Sequence, residues 1–178
     1  MLVEKIHHVA YRCKDAKETV QFYKTVLDMD LIGAIAEDKV PSTKEPDPYM
    51  HLFLDAGNGN ILAFFELPNS PPMGRDPNTP EWTQHIAFQV KDVETMLSVK
   101  ERAEKAGLSV LGPTNHAIFK SIYFFDPSGH RLEVAAWTAT DDMLKSMKDV
   151  AHAMIDEWSV TKQPPRHTAW LHSSEFAN

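Results

Sequence analysis

Residues 5–13 sort by parity: Ile6, His8, Ala10 and Arg12 fall on one side, His7, Val9, Tyr11 and Cys13 on the other. A period of two marks a strand whose faces meet different surroundings. Asp15 with Glu18 three residues on forms a capping box, and Val20, Phe22, Tyr23, Val26 and Leu27 continue at helical spacing. The same order returns later. Residues 84–91 read as a strand and Asp92 as a cap. Val93, Met96, Leu97, Val99, Ala103 and Ala106 then form a helix closed by Gly107. Strands follow each helix, at about 30–36, 49–55 and 60–67 in the first half, the last two joined by Ala56-Gly57-Asn58-Gly59. In the second half they fall at about 109–112, 118–125 and 131–137, with Asp126-Pro127-Ser128-Gly129 as the last turn. Each half is therefore β-α-β-β-β, and the chain is of the α+β class.

The halves also repeat in wording. His8-Val9-Ala10-Tyr11-Arg12-Cys13-Lys14-Asp15 returns 77 residues later as His85-Ile86-Ala87-Phe88-Gln89-Val90-Lys91-Asp92, with four of eight positions identical. Such a repeat fixes architecture before any single residue does. Residues 1–137 are expected to hold the paired modules, about 1–67 and 82–137, joined by the Pro-rich linker 68–81. Residues 138–178 form an extension. Within it, Met143, Leu144, Met147, Val150, Ala151, Met154, Ile155 and Trp158 draw one apolar stripe over 140–158. That stripe predicts an amphipathic helix packed on the sheet or on a partner subunit. The tail beyond Pro164-Pro165 carries Trp170 and Leu171 and is expected to dock on a surface.

Charge narrows the function. A formal net charge of −7, without a basic stripe, argues against nucleic acid, whose phosphates demand clustered Lys and Arg. No run approaches the roughly 18 apolar residues of a membrane span, and the charged start Met1-Leu2-Val3-Glu4-Lys5 does not read as a signal peptide. Cys13, the one cysteine, permits no internal disulfide and reads as a core residue. A cytoplasmic protein is expected.

Parity also selects the chemistry. Val9, Tyr11, Ile86 and Phe88 point toward the covering helices, so His8 and His85 point to the opposite, concave side beside the small Ala10 and Ala87. In the last strand Leu132 and Val134 alternate with Glu133, which takes the concave side too. Two imidazoles and a carboxylate on one face suit a divalent metal such as Fe(II), Mn, Zn, Ni or Co, with positions left open for reactants.

The repeated His-Val/Ile-Ala-x-x-x-x-Asp opening of a βαβββ unit resembles the vicinal oxygen chelate superfamily. That group includes glyoxalase I, extradiol ring-cleavage dioxygenases, methylmalonyl-CoA epimerase, fosfomycin-resistance enzymes and bleomycin-resistance proteins. The resemblance covers roughly residues 5–137. It implies two βαβββ modules forming a curved, open barrel-like mixed sheet around a metal held by His8, His85 and Glu133, with the C-terminal amphipathic helix and tail outside it.

A second motif is similar to the signature of type I extradiol dioxygenases. It comprises Thr114-Asn115-His116, Ile122-Tyr123, Asp126-Pro127-Ser128-Gly129 and Glu133. The implied reaction is cleavage of a catechol-like vicinal diol by O2 at Fe(II), with His116 and Tyr123 placed to hydrogen-bond the substrate. Asn60 stands where those enzymes carry an acid–base histidine; His51, across the hairpin, is either its substitute or a structural residue. The alternative resemblance, to glyoxalase I or the epimerase, makes Glu66 a fourth ligand or base and implies an enediolate lyase or isomerase. Phe53, Phe64, Phe119, Phe124 and Trp82 are candidates for an aromatic pocket, and a homodimer is the expected assembly.

Overall fold

A computed structural model describes residues 2–172 of the chain. The first module runs β1 (His8–Cys13), α1 (Ala16–Leu27), β2 (Leu31–Lys39), β3 (Pro46–Asp55) and β4 (Ile61–Glu66). The second runs β5 (Ile86–Gln89), α2 (Val93–Lys105), β6 (Leu111–Asn115), β7 (Phe119–Phe125) and β8 (Arg131–Trp137). The extension holds α3 (Asp141–Thr161) and a single 3₁₀ turn at Ala169–His172.

The expected caps start both module helices. Asp15 accepts the Glu18 N–H at 2.7 Å and Asp92 accepts that of Thr95 at 2.8 Å, each satisfying a donor that the first helical turn leaves without an intrahelical partner. Apolar residues at helical spacing then turn Tyr23 and Val26 of α1, and Met96, Val99 and Ala103 of α2, into the interior.

The sheets are ordered β1-β4-β3-β2 and β5-β8-β7-β6. In each, the first strand pairs in parallel with the last and the other pairings are antiparallel. The two expected βαβββ modules are thus two four-stranded mixed sheets, open among the described residues. The surface that joins them lies on the helix side. Leu52, Leu54, Leu62 and Phe64 of the first sheet join Ile122, Phe124, Leu132 and Val134 of the second, with residues of α1 and α2, in one buried cluster. Burying that shared apolar surface is the dominant favourable contribution, and it sets the modules back to back.

Polar contacts fix their mutual position. The Tyr23 phenol donates to Asp126 Oδ2 at 3.1 Å, the Lys14 N–H donates to Ser128 Oγ at 3.1 Å, and His130 Nε2 lies 2.6 Å from the Arg12 carbonyl. The Arg102 guanidinium reaches the Thr25 carbonyl near the end of α1 at 2.6 Å.

Helix α3 forms slightly beyond the expected limits, from an N-cap at Thr140 to Thr161. None of its residues is fully buried, and Met143, Met147, Val150 and Met154 of the expected stripe are half-buried. The tail returns to its C-terminal end, where His167 Nε2 meets Glu157 Oε2 at 3.0 Å and Thr168 Oγ1 approaches Met154 Sδ at 3.9 Å. The last six residues, 173–178, lie outside the described ones, and with them the end of the expected docking tail. No described helix is long and apolar enough to cross a membrane.

Candidate metal and substrate centre

Register defines the open face of the second sheet. Ala87 pairs with Glu133 and Glu133 with Tyr123, while Gln89 pairs with Ala135 and Ala135 with Ser121. Because Ile86 pairs with Leu132, His85 stands beside Arg131, one row from Glu133. Leu132, Val134 and Ala136 fill the core, which leaves Arg131, Glu133 and Ala135 on the side away from the helices, as parity predicts.

Five polar side chains meet on that face. His85 Nε2 lies 2.8 Å from Glu133 Oε2. The other carboxylate oxygen, Oε1, accepts the Tyr123 O–H at 2.9 Å. The Tyr123 oxygen in turn lies 2.9 Å from His116 Nε2 and receives the Ser121 hydroxyl at 3.0 Å. The result is a continuous line from His85 through Glu133 and Tyr123 to His116. Glu133 is nearly inaccessible, with 5% of its side chain exposed against 28% for His85. Desolvation raises the Tyr123 phenol above its ordinary pKa, partly offset by the Ser121 hydrogen bond and reinforced by Glu133. Tyr123 therefore enters the site as a neutral O–H donor.

Local structure holds these groups in place. A Cβ on Gly112 would stand 2.7 Å from the Ser121 carbonyl, so only glycine lets β6 approach β7 this closely. The irregularity between Leu111 and Thr114 shifts the register and moves the strand from the expected 109–112 to 111–115. His116 begins the hairpin into β7, its N–H bonded to the Phe119 carbonyl and its ring stacked on Phe119 at 4.6 Å. Ala117, next in the chain, has a φ of 68°, a left-handed conformation that a non-glycine residue adopts at some cost.

The donor set fits a cation. His85 Nδ1 lies 3.2 Å from the Trp82 carbonyl; a carbonyl only accepts, so Nδ1 carries the hydrogen. Nε2 then turns its lone pair toward a carboxylate oxygen 2.8 Å away. Two acceptors this close need a proton or a metal ion between them, and the separation is close to the span of neighbouring donors on one ion bonded at about 2.0–2.2 Å. The carbonyl partner on the far ring nitrogen is the usual way of orienting a ligand histidine.

The remaining candidates lie elsewhere. His8 pairs with Ile61 at the edge of the first sheet, its ring nitrogen 2.8 Å from that of His7. Among the described residues no three metal-binding side chains converge, so His8 does not meet His85 and Glu133 within one copy. Asn60 belongs to the turn before β4, its amide donating to the Gly57 carbonyl at 3.0 Å.

Glu66 turns away from the open face. A cavity-facing Glu66 required Phe64 on the open face, but Phe64 lies in the shared core against Tyr23. Glu66, of the same parity, turns to the helix side and accepts the Ala16 N–H at 2.6 Å. Phe64 and Phe124, proposed for an aromatic pocket, are both core residues.

His51 lies on the open face of the first sheet. It pairs with Phe65, and its ring stacks on that residue at 3.6 Å. Its Nε2 is buried without a hydrogen-bond partner. Burial, and then the charge of nearby His8, lower its pKa below the ordinary histidine value. Ser121 was invisible in sequence: a serine in a β-strand carries no signal until register puts it beside Tyr123.

Residues 5–134 match the family model described as the glyoxalase/bleomycin resistance protein/dioxygenase superfamily. The chain is 32% identical over 139 residues to a putative ring-cleaving dioxygenase, MhqA of Bacillus subtilis, covering 76% of this chain but only 41% of that protein's length. It is 26% identical to the metallothiol transferase FosB of Staphylococcus epidermidis, with 80% of this chain and 89% of that one covered. A superfamily domain from Frankia sp. superposes with a TM-score of 0.60 at 18% identity, over 76% of this chain and 98% of that one.

Proposed function

Because the chain belongs to the glyoxalase/bleomycin resistance protein/dioxygenase superfamily, whose enzymes are metal-dependent and act on small molecules, we propose that it is an Fe(II)-dependent extradiol-type dioxygenase acting on a catechol-like vicinal diol. The line His85–Glu133–Tyr123–His116 carries this reading. It joins a converging nitrogen and carboxylate, the pair suited to a metal, to a neutral phenol and an imidazole beyond it. The similarity to a putative ring-cleaving dioxygenase supports the choice within the superfamily.

His85 and Glu133 would hold the metal, with His8 as the third ligand. His8 would come from a second copy of the chain, since within one copy it stands on the other sheet. The metal, when bound, supplies chelation of both diol oxygens and a route for electrons to dioxygen. The residues of the chain supply the rest. Tyr123 donates a hydrogen bond to a substrate oxygen and His116 stands behind it to share that proton. His51 takes the acid–base role in place of Asn60, whose amide does not exchange protons near neutral pH. An imidazole with a depressed pKa rests as a free base there.

The place of Glu66, which accepts the Ala16 N–H on the helix side, counts against the enediolate alternative. The deciding experiment is anaerobic reconstitution with Fe(II), followed by a catechol panel, admission of air, and measurement of oxygen uptake and of the yellow ring-fission product. Stoichiometric oxygen uptake with product is expected. Absence of turnover with Fe(II), together with isomerisation of an α-hydroxycarbonyl or thiol adduct with Ni or Co, would overturn the proposal.

A further inference from the structure

The row of the second sheet next to Glu133 holds a cation whose role the reading above leaves open. Arg131 stands between His85 and Phe125 on the open face. Its guanidinium lies over the Tyr123 ring, 4.5 Å from the centroid. Among the described residues it makes no ion pair, and its Nε is buried without a hydrogen-bond partner. A buried donor left unpaired is unfavourable, and a charged donor is the group that most demands a partner.

The space beside Arg131 is a cavity of about 990 Å³, shared with His85, Phe125, Lys14 and the linker segment around Arg75 and Glu81. The other charges in it are engaged. Arg75 is ion-paired with Glu81 and lies over the Phe125 ring. Asp76 accepts from the Thr79 hydroxyl and the Asn78 N–H. Lys14 reaches the Pro127 carbonyl at 3.3 Å. Arg131 is thus a positive group next to the metal-facing histidine with no anion assigned to it, in a chain of net charge −7.

The repeat sharpens the point. His8 pairs with Ile61 in the first module, so the equivalent of Arg131 there is apolar. The cation is therefore not something the βαβββ scaffold requires. It occurs only in the module that carries Glu133 and Tyr123.

We infer that Arg131 anchors an acidic group of the substrate, so that the diol bound at this centre carries a carboxylate. A guanidinium held over a phenol ring has N–H groups left to offer as a fork, the geometry that accepts a carboxylate bidentately. The inference rests on the dioxygenase reading for the word diol, but anion capture itself does not need the metal.

The test accordingly measures binding to the metal-free protein. Isothermal calorimetry compares 3,4-dihydroxybenzoate with catechol on native protein and on the Arg131→Met and Arg131→Lys variants. Native protein should bind the acid at least about tenfold more tightly. Arg131→Met should raise the acid's Kd to that of catechol while leaving catechol's nearly unchanged, and Arg131→Lys should keep part of the preference. Equal or undetectable binding of both by native protein overturns the inference, as does a preference that survives in Arg131→Met. If Arg131→Met fails to fold by circular dichroism, the lysine variant decides alone: an undiminished preference there overturns it. An Arg131-dependent preference without oxygen uptake in the Fe(II)-loaded protein sinks the dioxygenase reading and leaves the anchor standing.

Discussion

Glu66 shows how much one residue decides. Its carboxylate accepts the Ala16 N–H at 2.6 Å, at the first helical position of α1, where anionic groups also meet the positive end of the helix dipole. A carboxylate engaged there contributes to folding. Glu66→Ala is therefore expected to lower stability by about 1–2 kcal/mol, read as a shift in the urea midpoint, while metal per chain stays at the native value. Loss of metal with an unshifted midpoint would return Glu66 to the centre. His85 and Glu133 should behave oppositely, either alanine variant losing metal while remaining folded. Parity from the sequence alone puts His85 and Glu133 on the open face. For Glu66 it rests on guessing which side of Phe64 faces the helices, and that guess inverts every assignment on the strand.

Among elements, those with a strong period were legible and those depending on register were not. The helices α1 and α2 begin at the aspartates that the capping pattern selects. Strand β6 was displaced, because Gly112-Pro113 interrupts its alternation and pairing with β7 resumes only at Thr114. The helix α3 was legible as a helix but not in its surroundings, since an apolar stripe says that something should be covered and not by what. The link between modules was silent in the sequence. Tyr23 reads there as one more apolar residue of an amphipathic helix. In the fold its phenol is fully buried and donates to Asp126, and burial, reinforced by that carboxylate, pushes its pKa well above the ordinary tyrosine value. Asp126 also gathers the Ser128 and His130 N–H groups, so the bond ties α1 to the turn preceding β8. Tyr23→Phe is expected to cost about 1–3 kcal/mol in denaturant unfolding. Its metal content should remain native, because the bond lies on the helix side of both sheets. An unchanged midpoint would show that Asp126 needs no partner from the first module.

At the scale of the molecule, the back-to-back packing poses a question that one copy does not answer. The strands that carry His8 and follow His85, β1 and β5, are both sheet edges, each with a hydrogen-bonding side that a folded protein usually covers. Both open faces also carry large apolar side chains, with Ile35 47%, Leu111 62% and Trp137 51% exposed. A two-fold assembly that sets the β1 face of one copy against the β5 face of another would cover these surfaces. It would also bring His8 to His85 and Glu133, and His51 toward Tyr123. The arrangement has a consequence that no single-chain site shares. A His8→Ala chain and a Glu133→Ala chain each lack a ligand in every site when assembled alone. Refolded together in equal amounts, about half of the dimers should be mixed, and in an isologous pair each mixed dimer regains one intact site and one doubly defective one. About a quarter of the native metal content and oxygen uptake should return. If the ligands instead came from one chain, mixing would restore nothing, and if His8 were not a ligand, the His8→Ala chain would bind metal unaided. Sedimentation gives the independent check, because a monomer at working concentration removes the source of His8 altogether.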